Sequence, residues 1–263
     1  MSTLRIILIA TLCLTAVPAS RANSGEDANK EPVTLLLAAA ASLQYSYVDE
    51  LIPMFQKRYP WITVEGTYDS SGKLQAQIEN GLEADVFMSA ALKQMNALKD
   101  KGFMDEKSIA NLLENKIVLI RPAATPVEGV SGFADALKAG MIAVGDPDSV
   151  PAGQYAREAF TSLGIWDQAK DKASFGTNVT EVLNWVAEGS ADLGVVYATD
   201  AATTDKVTVI CEAPEGALKN KVIYPVGMLA NSKHPEEAKL FIDFLKSDEA
   251  QAVFEKYGFS PNK

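Results

Sequence analysis

The stretch AVGDPDSVPAGQY, residues 143–155, combines the end of an apolar strand, a tight turn and the start of a helix. Pro151 occupies the first helical position, which suits proline because the N–H that it lacks would have no partner there and its fixed φ is helical. The next backbone amides, on Ala152 and Gly153, have no acceptor inside the helix, and the helix dipole adds about half a positive charge beside them. The stretch therefore predicts an anion site built from backbone.

Two other stretches repeat this pattern of strand, small-residue turn and helix. VTLLLAA at 33–39 is a continuous apolar run, typical of a strand buried on both faces, and Ser42 follows it at the expected N-cap of a helix. Asn178 and Glu181 have the spacing of a capping box, which makes Val179 the first helical residue, with a free amide. We interpret Asn178 and Glu181 themselves as capping residues, and we expect the three stretches to converge on one ligand.

Strands alternate with helices along much of the chain, which favours an α/β fold with a parallel, doubly wound sheet. In such sheets, ligands bind outside the carboxyl ends of the strands. Ser42 and Ser71 lie at such ends, and Tyr197 closes the apolar strand at 193–197, where its hydroxyl can reach a cleft while its ring packs. The structural alternatives are that the serines only cap helices and that the tyrosine is a core residue.

The strand at 116–121 leads into a loop with proline and glycine, and we interpret it as the crossing into a second lobe. Tyr224–Gly227 is expected to be the return, since proline lacks a ladder donor and belongs at a strand start or edge. The mature chain would then form a first lobe from 31–115 with 225–263, and a second lobe from 116–224.

Two local predictions concern the first lobe. Pro53 interrupts a helical pattern that follows Ser42, and we expect it to kink or split that helix near Glu50. Residues 107–113 are predicted to form a further helix.

The first 22 residues have the pattern of a secretory signal peptide. A basic residue, Arg5, precedes an apolar run at 6–17, and small residues permit cleavage after Ala19 or Ala22. The run is shorter than the 18 to 20 or so apolar residues that a membrane span requires. We therefore expect a cleaved signal and no membrane insertion afterwards.

The mature protein is expected in the periplasm. The large Leu12 before Cys13 argues against a lipoprotein, which usually has a small residue there. Residues 23–30 resemble a disordered polar start of the mature chain.

The charge of the chain excludes several partners. Loss of residues 1–22 changes the net charge from −10 to −12, because it removes two arginines and no acid. A protein this acidic does not bind nucleic acid or an anionic membrane through its overall field, so local donors must hold any bound anion. Cys211 is then the one remaining cysteine and is expected to be a buried apolar thiol.

Six segments together resemble the periplasmic molybdate-binding proteins of ABC import systems. They are AAAASL at 38–43, SSGKLQAQIENG at 70–81, ADVFMSA at 84–90, AVGDPDSVPAGQYA at 143–156, LGVVYATDA at 193–201 and KYGF at 256–259. The resemblance covers nearly the whole mature chain, and the pattern GDPxxVPAGxYA is its most specific part. It implies a two-lobed, type II periplasmic binding protein fold, α/β, with a mainly parallel sheet and flanking helices in each lobe and the ligand in the cleft between them.

In that family a tetrahedral oxyanion is held without any charged side chain. By motif, the resemblance assigns hydroxyl and amide donors to Ser42 and Ser71, backbone amides to Ala152 and Val179, and a hydroxyl to Tyr197. It implies a monomeric receptor that captures molybdate, and tungstate with it, and delivers the oxyanion to an ABC permease and its ATPase. It implies no enzymatic activity, no cofactor and no direct coordination of a metal by the protein.

Two residues depart from the family pattern. Gly72 and Lys73 stand where further small hydroxyl residues are expected. Lys73 either lies at the rim of the site, where it would attract anions, or is solvated at the helix start.

The alternatives are a receptor of the same fold for sulfate, thiosulfate or a metal ion, and an enzyme. A metal site needs clustered ligands, but the single histidine, His234, lies far from the motifs and is interpreted as a solvated turn residue. Ser70 to Lys73 fits the S-x-x-K motif of serine enzymes, yet no KTG or SDN segment follows. No catalytic residue is therefore assigned.

Overall fold

A computed structural model describes residues 30–262 of the chain. The predicted signal peptide and all but the last residue of the polar segment at 23–30 lie outside the described residues. Residues 32–262 contain two β-sheets with helices packed on them.

The larger sheet, with the helices on it, is called the first lobe below. Its strands are β1 Val33–Ala40, β2 Ile62–Asp69, β3 Val86–Met88, β4 Ala110–Asn115, β10 Val222–Met228 and β11 Ser260–Pro261. They are arranged in the order β11-β4-β10-β3-β1-β2. β1 is parallel to β2 and β3, whereas β10 is antiparallel to β3 and β4, and β11 is antiparallel to β4.

The smaller sheet and its helices are called the second lobe. Its strands are β5 Ile117–Pro122, β6 Ile142–Gly145, β7 Ala173–Gly176, β8 Leu193–Tyr197 and β9 Val207–Glu212. They are arranged in the order β7-β6-β8-β5-β9. β6 is parallel to β7 and β8, and β5 is antiparallel to β8 and β9.

The helices connect and cover these strands. The α-helices of the described residues are α1 Gln44–Ser46, α2 Ile52–Arg58, α3 Ser71–Glu79, α4 Leu92–Asp100, α5 Pro151–Ser162, α6 Trp166–Asp171, α7 Val179–Ala187, α8 Ala198–Ala201, α9 Pro235–Leu245 and α10 Asp248–Lys256. The 3₁₀ helices are Ala41–Leu43, Glu106–Ser108 and Phe133–Lys138, and a π-helix spans Tyr47–Leu51.

The α/β prediction with two sheets is confirmed, but the sheets are mixed rather than mainly parallel. The antiparallel strands β4, β5, β9 and β10 flank the two places where the chain passes between the sheets. A strand that enters from the other sheet needs no crossover helix, so it can pair in the antiparallel direction. The parallel strands are the ones that are followed by helices at the site described below.

Two sequence-based boundaries differ from the structure. Residues 107–113 are not a helix, because a 3₁₀ turn ends at Ser108 and β4 then pairs with β10, with Leu113 fully buried. Tertiary pairing outweighs local helix propensity here. The return crossing also lies earlier than expected, since β10 already pairs with β4 at Val222 and Pro225 sits at an irregularity of that ladder.

The helix after β1 contains the predicted irregularity. The π-helix at Tyr47–Leu51 precedes α2, and Pro53 lies in the first turn of α2, so the irregularity near Glu50 takes the form of a π-helix. Ser42 is not the N-cap that the sequence suggested. It lies inside the 3₁₀ helix that follows Ala40, and Ala40 is the capping position.

Close packing fixes the second lobe around β8. All five residues of β8 are buried, and α7 covers the strand. A Cβ built on Gly194 would lie 2.6 Å from a Val186 methyl carbon, so glycine is what allows the helix to approach the strand this closely. The helix α7 is thereby packed directly on β8.

Candidate functional site

A small cavity lies between the lobes, where strand ends and helix starts of both meet. The carboxyl end of β1, the starts of α3, α5 and α7, and the end of β8 all contribute to its wall. All five sequence-predicted site residues line it: Ser42, Ser71, Ala152, Val179 and Tyr197. They converge although they come from five separate segments of the chain.

Ser71 is the first residue of α3 and is completely buried. Ser70 precedes it as the N-cap, with its Oγ accepting from the Lys73 N–H at 3.4 Å. The Ser71 Oγ accepts a hydrogen bond from the Ala90 N–H at 3.0 Å. Because that bond uses the oxygen as an acceptor, the hydroxyl hydrogen of Ser71 is left to donate to a ligand.

Ser42 is positioned by a chain of polar side chains that the sequence did not reveal. Asn115 Nδ2 donates to the Tyr224 hydroxyl at 3.2 Å, and the Tyr224 and Ser42 hydroxyls are 2.9 Å apart. When the Ser42 hydroxyl donates to a ligand, the Tyr224 hydroxyl must donate to Ser42. The hydrogen bonds from Asn115 to Tyr224 and from Tyr224 to Ser42 then run in the same direction and strengthen one another. Asn115 also donates to the Thr199 Oγ1 at 2.9 Å and thereby ties this relay to the second lobe.

The start of α5 presents backbone without a side-chain cap. Val150 is its N-cap position and makes no capping hydrogen bond, and Pro151 is the first helical residue, as the sequence predicted. Ala152 is completely buried, and within residues 30–262 its N–H has no hydrogen-bond partner. A Cβ on Gly153 would lie 1.9 Å from the Gly145 carbonyl oxygen, so the helix start is packed directly on the end of β6.

The start of α7 has the predicted capping residues. Asn178 Oδ1 accepts from the Glu181 N–H at 2.9 Å. The Glu181 carboxylate reaches back to the N–H of Thr177 at 2.6 Å, one residue before the N-cap whose amide a capping box usually engages. These bonds leave the amide of Val179, the first residue of the helix, beside the cavity.

Tyr197 closes β8 and is buried at the cavity wall. Its hydroxyl lies 3.5 Å from the Ala90 carbonyl oxygen, the long limit of a hydrogen bond, and can therefore turn to a better acceptor. Burial raises the pKa of Tyr197 well above its usual value, so the hydroxyl is a donor at neutral pH. Its ring packs edge-on against Tyr224 at 5.6 Å between centroids.

Two carboxylates stand near this group of donors. Asp69, at the end of β2, lines the cavity and was missed by the sequence reasoning, although its place at a carboxyl strand end could have indicated it. Asp200, three residues after Tyr197 in α8, is buried, and burial raises its pKa to about 7. Its Oδ2 has no hydrogen-bond partner within residues 30–262.

Among the described residues, no lysine, arginine or histidine side chain lines the cavity. Lys73 is not among the residues that line the cavity, but its Nζ is 3.4 Å from the Asp69 Oδ1, and its side chain is about one-third exposed. The local attraction for an anion thus comes from helix starts and hydroxyl dipoles and not from a lysine or arginine.

Elsewhere in residues 30–262 no cluster of three or more histidine, cysteine, aspartate or glutamate side chains could hold a metal ion. His234 is the N-cap residue of α9 and lines a different pocket. Cys211 is half-buried rather than fully buried. Across the same residues no helix has both the length and the apolar character needed to cross a membrane.

The family model of the bacterial extracellular solute-binding proteins matches residues 35–260. The chain belongs to this family. The putative ABC transporter substrate-binding lipoprotein YvgL of Bacillus subtilis is 40% identical over 257 residues, which cover 97% of this chain and 97% of that protein. The molybdate-binding protein ModA of Haemophilus influenzae is 36% identical over 226 residues, which cover 84% of this chain and 88% of that protein.

The solved structures agree with this membership of the solute-binding family. The substrate-binding domain of a putative molybdenum ABC transporter from Clostridium difficile is 37% identical, with a TM-score of 0.67 over 88% of this chain and all of that one. The fold is that of the type II periplasmic binding proteins.

Proposed function

We propose that this solute-binding protein captures molybdate, and tungstate with it, in the cavity between the lobes. The observation that carries the proposal is a cavity lined by hydroxyls and by helix-start amides that have no partner within residues 30–262, with no cationic side chain of those residues in its wall. The relative that bears the name molybdate-binding protein supports the choice of ligand.

The chemistry of the ligand suits these donors. A dianion such as MoO₄²⁻ accepts hydrogen bonds on every oxygen and offers no proton, so donors alone satisfy it. We assign donation by hydroxyl and amide to Ser42 and Ser71, by amide to Ala152 and Val179, and by hydroxyl to Tyr197. Each charge-assisted bond contributes about 1.5–3 kcal/mol net. Loss of one donor should therefore weaken binding by roughly one to two decades.

The proposed protein is a monomeric receptor and not an enzyme. It works in the periplasm without a cofactor and hands the oxyanion to an ABC permease and its ATPase. The lobes are proposed to close on the ligand by bending at the two crossings between the sheets. We further propose release after cleavage at Ala19 or Ala22 and not lipid attachment at Cys13, which mass spectrometry of the exported protein would distinguish.

Calorimetric titration of residues 23–263, stripped of ligand, with molybdate, tungstate and sulfate tests the proposal. We expect one-to-one binding of molybdate and tungstate and little binding of sulfate. The sulfur–oxygen bonds of sulfate are shorter than the metal–oxygen bonds of molybdate, so donors fixed for the larger ion would be left partly unpaired around sulfate. Equal affinity for sulfate would mean that the donors are right and the size selection is wrong. No heat with any of the three anions would refute the oxyanion proposal.

A further inference from the structure

A backbone hydrogen bond joins the two lobes at the edge of the cavity. The Gly72 N–H, in the first turn of α3, donates to the Ser149 carbonyl oxygen at 3.0 Å. Gly72 belongs to the first lobe, and Ser149 belongs to the turn before α5 in the second. Gly72 follows Ser71 directly, and Ser149 lies three residues before Ala152, so the bond joins the two sets of donors almost at the donors themselves.

Glycine at position 72 is required by space and not by backbone conformation. A Cβ on Gly72 would lie 2.2 Å from the Ser149 carbonyl oxygen and 2.8 Å from the Ser149 carbonyl carbon. These are backbone atoms, so no side-chain rotation can relieve the contact. Gly72 is not among the described glycines with positive φ, and its helical conformation suits alanine as well or better.

The Ser149 carbonyl is held in a rigid turn. Its own N–H donates to the Asp146 carbonyl at 3.2 Å, and its Oγ donates to the Asp146 carboxylate at 3.0 Å. The next amide, of Val150, also donates to the Asp146 carbonyl at 2.7 Å. The turn therefore cannot shift without the loss of several hydrogen bonds. A larger residue at position 72 would instead push the second lobe away from the first.

Side chains add a second contact beside this bond. Asn178 Nδ2, from the second lobe, is 3.4 Å from the Asp69 Oδ1, which also accepts from the Ser70 N–H at 2.7 Å. Asn178 precedes the donor Val179, and Asp69 lines the cavity. These two contacts between the lobes, Gly72–Ser149 and Asp69–Asn178, are together called the latch below.

We propose that Gly72 is a specificity-determining residue, because its lack of a side chain lets the latch close and fixes the width of the cavity between the donor sets of the two lobes. This inference rests on the proposed function for the identity of the ligand. A Cβ at position 72 would have to retreat by about 1 Å to reach ordinary contact distance from the Ser149 oxygen. Donors on opposite walls would then no longer reach one tetrahedral oxyanion together.

The test compares Gly72→Ala with wild type and with Gly132→Ala. The control is matched because a Cβ on Gly132 would lie 3.7 Å from the Cys211 Sγ, an ordinary contact away from the cavity. The measurements are titrations with molybdate and sulfate, thermal unfolding without ligand, and the radius of gyration from X-ray scattering with and without molybdate.

For Gly72→Ala we expect an unchanged unfolding midpoint without ligand and a Kd for molybdate that rises by roughly 10- to 100-fold. The preference for molybdate over sulfate should fall at least about tenfold, and the radius of gyration with molybdate should stay above that of the wild type. Gly132→Ala should match the wild type in all three. A Gly72→Ala protein that binds molybdate within threefold of wild type, with the same preference, overturns the inference.

A second variant covers the case in which Gly72→Ala unfolds at a lower temperature. Asn178→Ser keeps an N-cap for α7 but is too short to reach Asp69, so it opens the side-chain contact alone. We expect a threefold or greater rise in the Kd for molybdate, and an unchanged Kd overturns the latch.

The proposed function can fail separately. If the wild type binds none of the anions, the ligand assignment is refuted. Scattering from the unliganded wild type and Gly72→Ala then tests the latch, and equal radii of gyration overturn it as well.

Discussion

The serine hydroxyls of the first lobe and the helix-start amides of the second lobe differ in what else they bond inside the protein. The first lobe presents the hydroxyls of Ser42 and Ser71, each of which is also bonded inside the protein, to Tyr224 and to Ala90 respectively. The second lobe presents the Tyr197 hydroxyl, 3.5 Å from the Ala90 carbonyl oxygen, and the amides of Ala152 and Val179, which make no internal bond among the described residues. The two serine hydroxyls thus support the fold as well as the proposed ligand, whereas the two amides have no bond among the described residues other than the one proposed to the ligand.

This difference has an energetic consequence. Removal of a hydroxyl in the first lobe leaves a buried partner unsatisfied, which costs about 1–3 kcal/mol of stability in addition to any affinity. Removal of an amide in the second lobe leaves no such orphan. Stability and affinity should therefore change together for the two serines and separately for the two helix-start amides. Four predictions follow in order of decreasing effect; three of them test this comparison, and the third concerns the buried Asp200.

The largest effect is expected for Ser71→Ala. The variant loses a ligand donor and leaves the buried Ala90 N–H without its acceptor. We expect a free energy of unfolding lower by about 1–3 kcal/mol and a Kd for molybdate higher by roughly one to two decades. Urea unfolding and calorimetry measure the two changes. Ser46→Ala is the control, since its buried hydroxyl bonds the Leu43 carbonyl away from the cavity and should affect stability alone.

Val179→Pro should weaken binding without destabilising the fold. Proline lacks the N–H but is favoured at the first helical position, and the extended Asn178 before it tolerates a following proline. We expect a Kd for molybdate higher by roughly 10- to 100-fold, with unfolding within about 1 kcal/mol of wild type. Val179→Ala, which keeps the amide, should bind nearly as wild type does. Comparable binding by both variants would remove Val179 from the site.

The buried Asp200 in α8 should make stability depend on pH. Its pKa is raised from 3.8 to about 7 in the folded protein by burial, so the folded state holds a proton that the unfolded state has released. Its contribution to stability is therefore greatest below pH 4 and is lost as pH rises towards 7. Between pH 5 and 8, wild type should lose about 2 kcal/mol more than Asp200→Asn. Denaturant unfolding of both proteins at the two pH values measures this, and parallel curves would contradict it.

The smallest effect is expected for Tyr224→Phe. This change removes the hydroxyl that donates to Ser42, while Asn115 keeps its bond to Thr199. Because Ser42 itself remains, we expect a Kd for molybdate only about 3- to 10-fold higher, which corresponds to roughly 1 kcal/mol. Tyr47→Phe removes a buried hydroxyl that bonds Met88 away from the cavity, and it should leave the Kd unchanged. Equal Kd values for Tyr224→Phe and Tyr47→Phe would show that the Tyr224 hydroxyl does not contribute to ligand binding.

Patterns within a few residues were enough to predict the helix starts of the site. Pro151 and the small residues after it predicted the uncapped start of α5, and the spacing of Asn178 and Glu181 predicted the first residue of α7. The same local reasoning failed for Ser42, which is not an N-cap, and for 107–113, which is mostly strand. In both places a partner distant in sequence replaces the local one.

The sequence by itself determined the α/β character, the strand ends and the free helix-start amides, because each depends on hydrogen bonds and dihedral preferences within one turn or strand. Only the tertiary structure decided the antiparallel entry of the crossing strands, the relay from Asn115 through Tyr224 to Ser42, and the approach of Gly72 to Ser149. These features join residues from distant parts of the chain, and their geometry depends on how the two lobes pack. The preferences of neighbouring residues cannot predict the 3.0 Å distance between the Gly72 nitrogen in one lobe and the Ser149 oxygen in the other.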